Sequence, residues 1–337
     1  MQTRQSNIEL LRIISMFMIL CVHFTGATFN LPNIMKIQDL SSINTTCKVL
    51  MESFSIIGVN CFVLISGYFG IKPSIKGATN FILWCMFYAV SIYTLVAIIK
   101  PTADNISYIF SSFLIFSHTD LWFIPAYFAL YIISPLINKG LQNMERKEFS
   151  LLLIAFTFLN VYLGWFWQGN INQTGYNAMQ LIYIYVIGRY IRIYSSANKK
   201  YRITYITTYI TASALIFIST FTCKSTMAFA YNSPFVIGAS VSFFLFFTTF
   251  SFQNKWINSI AANAFAVYLI HKMPPIWGTL KNLLYNTCSN MSYISFAIYW
   301  IVFIILIFAV CILIDKIRLY IMSPITNHIS STIQRFI

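Results

Sequence analysis

An arginine and a histidine stand eleven residues apart, at positions 12 and 23, inside one apolar stretch, Asn7 to Thr25 (NIELLRIISMFMILCVHFT). At about 100° per residue, eleven residues make about three turns plus 20°, so in a helix both side chains leave one face. His23 then lies roughly 16 Å further along the axis than Arg12. Glu9 precedes Arg12 by three and sits beside it. A charge within such a segment is costly and points to function. The blander alternative is a snorkelling arginine at one end and an interfacial histidine at the other. An arginine in this place can dock a phosphate by paired hydrogen bonds. A neutral imidazole near pH 7 can take a proton from a hydroxyl.

The element that carries these groups must be a membrane helix. Of 337 residues, 58% are hydrophobic and 9% charged, with mean hydropathy +0.72, whereas a soluble domain has about 25% charged residues. The fold class is therefore an all-α, polytopic membrane bundle. A span needs roughly 20 mostly apolar residues. On that measure the chain contains about ten, at 8–27, 49–70, 77–99, 121–138, 150–168, 177–195, 203–221, 233–252, 256–276 and 293–314. The piece 106–117 is too short to span and reads as re-entrant. A short tail begins at about 315, and the whole chain, 1–337, reads as one membrane domain. The first span is too long for a signal-peptide core, and no small-residue cleavage site follows it, so no cleaved leader is expected. The net charge of +14 does not indicate nucleic acid, because the cations sit in short loops between spans. Counted by alternate loops, sixteen Lys and Arg fall on one side and six on the other, which puts both termini in the cytoplasm. Cys21, Cys61, Cys85 and Cys311 fall in spans as packing residues, and Cys47, Cys223 and Cys288 fall in loops. Four His and no clustered acids make a metal site unexpected.

That orientation sorts the polar residues by depth. Arg12 lies near the inner surface, with Lys72 and Lys76 after span two. His23 lies near the outer surface, together with Glu52, His118, Asp120, Trp122 and His271; only His328 falls in the cytoplasmic tail. A shared cavity, cationic inside and histidine-lined outside, follows. A long, thin, anionic cytoplasmic ligand would fit it. Acyl-CoA has anionic phosphates and a pantetheine arm comparable in length with the Arg–His rise. The chemistry would be acyl transfer from a thioester to a hydroxyl. No G-x-S-x-G elbow, P-loop or dinucleotide-binding glycine pattern is present.

Four stretches now resemble, in order, the acyltransferase 3 family of membrane sugar O-acyltransferases. IELLRIISMFMILCVHF is similar to its first helix, whose marker is Arg or Lys, ten residues, then His, matched by Arg12 and His23; Glu9 stands at the family's acidic position. GVNCFVLISGYFGI resembles an apolar run ending in Ser-Gly-aromatic, through Ser66, Gly67 and Tyr68. HTDLWFIPAYFALYIISPLI resembles the His-x-x-Leu-Trp-Phe stretch, through His118, Leu121, Trp122, Phe123 and Pro135. NAFAVYLIH resembles the Tyr-Leu-x-His segment, through Tyr268 and His271. Spans five to eight contribute no motif. The resemblance implies a bacterial inner-membrane enzyme that moves acetyl or another short acyl group from acyl-CoA to a surface polysaccharide or lipid-linked saccharide. The chain departs from the pattern in lacking the paired arginines that some members carry after span two or three, where Lys72 and Lys76 are the available cations.

On this reading His23 is the general base, Arg12 anchors the donor, and Glu9 holds Arg12. Ser66, Gly67, Tyr68 and Lys72 join Arg12 on the donor side, Gly67 allowing close approach of the donor or of a neighbouring helix. His118, Trp122 and His271 bind the acceptor, with Trp122 either stacking on a sugar or belonging to the interfacial aromatic belt. The rival reading is a saccharide or anion carrier or flippase. Proton-coupled carriers place carboxylates mid-membrane, whereas Glu9 and Glu52 lie near span ends.

Overall fold

The structure, a computed structural model, describes residues 4–28, 43–102, 104–117, 121–195, 198–223, 226–288 and 293–336. All regular structure among them is helical: α1 (Ser6–Thr28), α2 (Ile43–Ser55), α3 (Gly58–Phe69), α4 (Ile75–Ile99), α5 (Asn105–Ser112), α6 (Phe123–Gln142), α7 (Arg146–Thr157), α8 (Ala178–Tyr194), α9 (Arg202–Cys223), α10 (Pro234–Thr248), α11 (Lys255–Ala262), α12 (Ala264–Lys272), α13 (Pro274–Cys288) and α14 (Tyr293–Phe336). Among the described residues, seven helical segments are long and apolar enough to cross a membrane: Ser6–Thr25, Thr46–Phe69, Ile75–Ile99, Arg146–Phe166, Lys199–Cys223, Thr226–Thr248 and Ser295–Pro324. The other three expected spans are helical but shorter or less apolar: α6, α8 and the pair α11–α12, which breaks at Asn263.

The helix at the centre is α1. It packs against α2, α3 and α10 through α14, and Ile8, Leu11, Met16, Leu20 and Phe24 are at most 1% exposed. A helix bundle in lipid depends on close packing and hydrogen bonds between its helices. The tightest such seam joins α3 to α8. A side chain on Gly67 would collide with the Tyr185 carbonyl, and one on Gly188 would come within 2.6 Å of the Leu64 carbonyl. Gly67 thus lies where a neighbouring helix approaches closely.

Several local expectations need correction. Cys47 lies within α2, and Cys223 and Cys288 end α9 and α13; none of these falls in a loop. The segment 106–117 contains a short helix, α5, followed by a tight turn at Ile115–Ser117. The expected outer loop after span nine is helical through Cys288, because the Pro274–Pro275 pair starts a new helix. The expected tail is helical too: α14 continues through its charges to Phe336. Asp315 is fully buried and Arg318 is 7% exposed. Asp315 Oδ1 accepts from Trp84 Nε1 at 3.0 Å, from Tyr88 Oη at 2.7 Å and from Arg318 Nε at 2.5 Å. Hydropathy alone reads such charges as the end of a span; here Trp84 and Tyr88 on α4, with Arg318, hold Asp315 Oδ1 inside the bundle.

Candidate active site

The arginine–histidine spacing is realised as a stripe along α1. Arg12, Met16, Ile19 and His23 follow one another by three or four residues, so they share a face. Met16, Ile19 and His23 line a narrow pocket, walled by Val59 and Phe62 of α3, by Trp122 and Phe123 at the start of α6, and by Tyr231, Phe265 and Tyr268. Arg12 lies at the far end of the stripe, its guanidinium carbon 5.5 Å from the centre of the Phe62 ring.

His23 meets His271 there: His23 Nδ1 lies 2.8 Å from His271 Nε2. The other nitrogen of His271, Nδ1, lies 2.5 Å from the Val267 carbonyl oxygen. A carbonyl only accepts, so His271 Nδ1 carries the proton. In the neutral ring Nε2 is then an acceptor, and His23 Nδ1 must donate to it. This leaves His23 Nε2 with a free lone pair. His271 is fully buried, while His23 borders the pocket. The arrangement is that of an oriented base: one imidazole fixed by the backbone holds the tautomer of a second. Helix geometry alone places His271 on the same outer level as His23; the direct contact is what the structure adds. It joins α1 to α12 at this end of the stripe.

Arg12 is held by Glu9, with Nε 3.2 Å from Oε2. The contact is an ion pair without hydrogen-bond alignment, so Arg12 Nε has no hydrogen-bond partner among the described residues. Ser66 Oγ donates to the Phe62 carbonyl and lies 3.1 Å from Tyr127 Oη, joining α3 to α6 on this side. Tyr68 accepts a hydrogen bond from Arg192 Nη1 at 3.1 Å, and Lys72 is exposed in the segment between α3 and α4. Ser66, Tyr68 and Lys72 therefore cluster where α3 ends, while Gly67 faces α8.

At the histidine end, Glu52 of α2 is 5% exposed and accepts from Thr25 Oγ1. Trp122 packs against Tyr176 and Tyr231, with ring centres 5.0 Å and 5.8 Å away, and those two tyrosines lie 4.7 Å apart. His118 lies outside the described residues. Tyr231 carries no sequence motif, yet its backbone is clamped. Its carbonyl accepts from Asn60 Nδ2 at 3.0 Å and Gln180 Nε2 at 2.8 Å, and its N–H donates to the Thr174 carbonyl at 2.9 Å. Asn172, whose amide donates to Asn160 Oδ1 at 2.7 Å, extends this buried amide network to a π-helical continuation of α7, Phe158–Phe166. The signal available in the sequence was polar: Asn160 and Gln180 interrupt spans otherwise read as apolar, and Asn172 and Asn232 stand just outside such spans.

No curated protein and no solved structure matches the chain. A family model for the acyltransferase domain matches residues 5–316. That range runs from the start of α1 to Asp315 and so includes every residue of the candidate site. The chain belongs to the acyltransferase 3 family and is a multi-pass membrane acyltransferase.

Proposed function

We propose that the protein is an O-acetyltransferase of a bacterial inner membrane, moving an acetyl or other short acyl group from cytoplasmic acyl-CoA to a hydroxyl of a surface polysaccharide or lipid-linked saccharide. The observation that carries this reading is the His23–His271 pair, which leaves His23 Nε2 unprotonated in a side chain that lines the pocket and shares a face of α1 with Arg12. In the reaction, His23 Nε2 takes the acceptor hydroxyl proton as the oxygen attacks the thioester carbonyl. The carbon–sulfur bond then breaks, and the proton held on His23 goes to the departing sulfur, which leaves as the free thiol. Arg12, with its unused N–H edge, would hold the anionic donor. The Trp122–Tyr231–Tyr176 cluster offers apolar ring faces against which a sugar can stack.

Ten spans with both termini in the cytoplasm complete the proposal. They rest on the division of cations among loops and on the helicity of all ten expected segments. The test is transfer itself. Purified protein, labelled acetyl-CoA and a panel of glycans should yield label in an alkali-labile ester. Movement of glycan across a vesicle membrane without ester formation would favour the carrier instead.

A further inference from the structure

Two arginines with no part in the sequence motifs meet those motifs where α3 ends. They are Arg189 and Arg192, in the last turns of α8. Arg192 places its guanidinium carbon 4.9 Å from the centre of the Tyr68 ring and donates to Tyr68 Oη at 3.1 Å. Arg189 lies against Gly70. That residue has φ 75°, and a Cβ built there would stand 2.7 Å from Arg189 Nη1. Glycine both adopts this backbone and leaves the room the guanidinium occupies.

The charge at this corner is unanswered. Arg189 Nε is buried and has no hydrogen-bond partner among the described residues. The ion pairs among those residues are Arg12–Glu9 and Arg318–Asp315, which involve neither arginine. No Asp or Glu occurs between Glu52 and Asp104, or between Glu148 and Asp315, so α3, α4 and α8 bring no carboxylate. Glu145 and Glu148 are engaged in capping α7. Lys72 and Lys76 add exposed charge beside the N-terminus of α4. A planar guanidinium seated on neutral groups, with a buried N–H unused, is prepared to donate paired hydrogen bonds to the oxygens of an anion.

We propose that Arg189 and Arg192, seated on Gly70 and Tyr68, form a binding site for a phosphate ester, and that the acyl donor's nucleotide phosphates occupy it. This deepens the donor half of the acyltransferase reading and rests on it for the occupant. An anionic lipid headgroup has the same phosphate chemistry, so the test separates the two sources.

The test uses purified full-length protein in uncharged detergent. CoA and 3′,5′-ADP are titrated against wild type, Arg189→Gln, Arg192→Gln, the double variant and Arg189→Lys, with Lys147→Gln as a remote cation control. Thermal midpoints with added phosphatidylglycerol are read in parallel. We expect the double variant to bind both nucleotides at least tenfold more weakly, Arg189→Lys to recover part of the loss, and the control to match wild type. Arg192 is exposed, so Arg192→Gln keeps the test available if Arg189→Gln does not fold. Unchanged nucleotide binding with loss of the phosphatidylglycerol-induced shift overturns the donor assignment and gives the phosphate site to lipid. Wild type and double variant responding alike to both ligands overturns the site altogether. Arginine-dependent nucleotide binding by a wild type that transfers no acyl group would count against the acyltransferase reading and leave the phosphate site standing. Normal transfer with unchanged donor affinity in the double variant would remove the site alone.

Discussion

At the scale of single residues, the account turns on how two imidazoles share one proton donor and one lone pair. His271 is tied to a backbone carbonyl four residues earlier, and that tie sets the tautomer of His23. His271→Ala should therefore lower kcat by about tenfold to a hundredfold with acceptor KM little changed, since the ring it orients would lose its fixed tautomer. The same loss expressed only in acceptor KM would mean that His271 binds acceptor, as its position alone had suggested. Arg12→Ala should abolish transfer without loss of inserted protein. Arg12→Lys should keep part of it at a raised donor KM, because an ammonium attracts phosphate but lacks the guanidinium fork. Steady-state donor titration checks this, and an unchanged donor KM would take Arg12 out of the donor site. The Arg12–His23 relation was legible from spacing alone, because helix periodicity converts eleven residues into one face. The His23–His271 contact was not, since no local rule fixes which helices meet.

At the scale of elements, the α3–α8 seam and the α4–α14 cluster decide whether those residues are in place. Gly67 lies against the Tyr185 backbone, with no room for a Cβ. Gly67→Ala should force the helices apart and cost about 1–3 kcal/mol, read as a lower thermal midpoint with donor KM unchanged in the folded fraction. A raised KM at an unchanged midpoint would show that Gly67 faces the donor. Asp315 accepts from three groups on two helices, and Trp84, one of the donors, packs on the pocket residue Phe265 with ring centres 5.5 Å apart. Asp315→Ala leaves Arg318 buried and unpaired, at a cost of about 3–5 kcal/mol. Expression and thermal midpoint should fall, and Asp315→Leu with Arg318→Met should recover part of the loss. The sequence reading lost these charges to a tail because it judged them by hydropathy, while their partners, Trp84 and Tyr88, lie more than two hundred residues away. It likewise passed over Arg189, Arg192 and Tyr231. Their segments carry no motif, and their neighbours are reached only through packing.

At the scale of the whole molecule, the bundle holds two chemically different ends along one central helix, with a cation at one and an oriented base at the other. Composition and hydropathy were enough to read the helical membrane class, because lipid leaves an unpaired backbone few alternatives. They were less able to place ends and breaks, as at Asn263 and along α14, where capping and proline positions decide. Cysteine-accessibility labelling of intact cells should find 139–148 shielded and 168–176 exposed; labelling of 139–148 from outside would invert the arrangement. The central claim is that His23 removes the acceptor proton, and His23→Gln tests it most directly. Glutamine keeps a hydrogen-bonding side chain but cannot take a proton. In the labelled-acetyl transfer assay, at membrane levels matched to wild type, kcat should fall at least a hundredfold, consistent with the 10²–10⁴ typical of general-base assistance. Near-normal turnover in His23→Gln, with the loss appearing instead in His271→Gln, would contradict it.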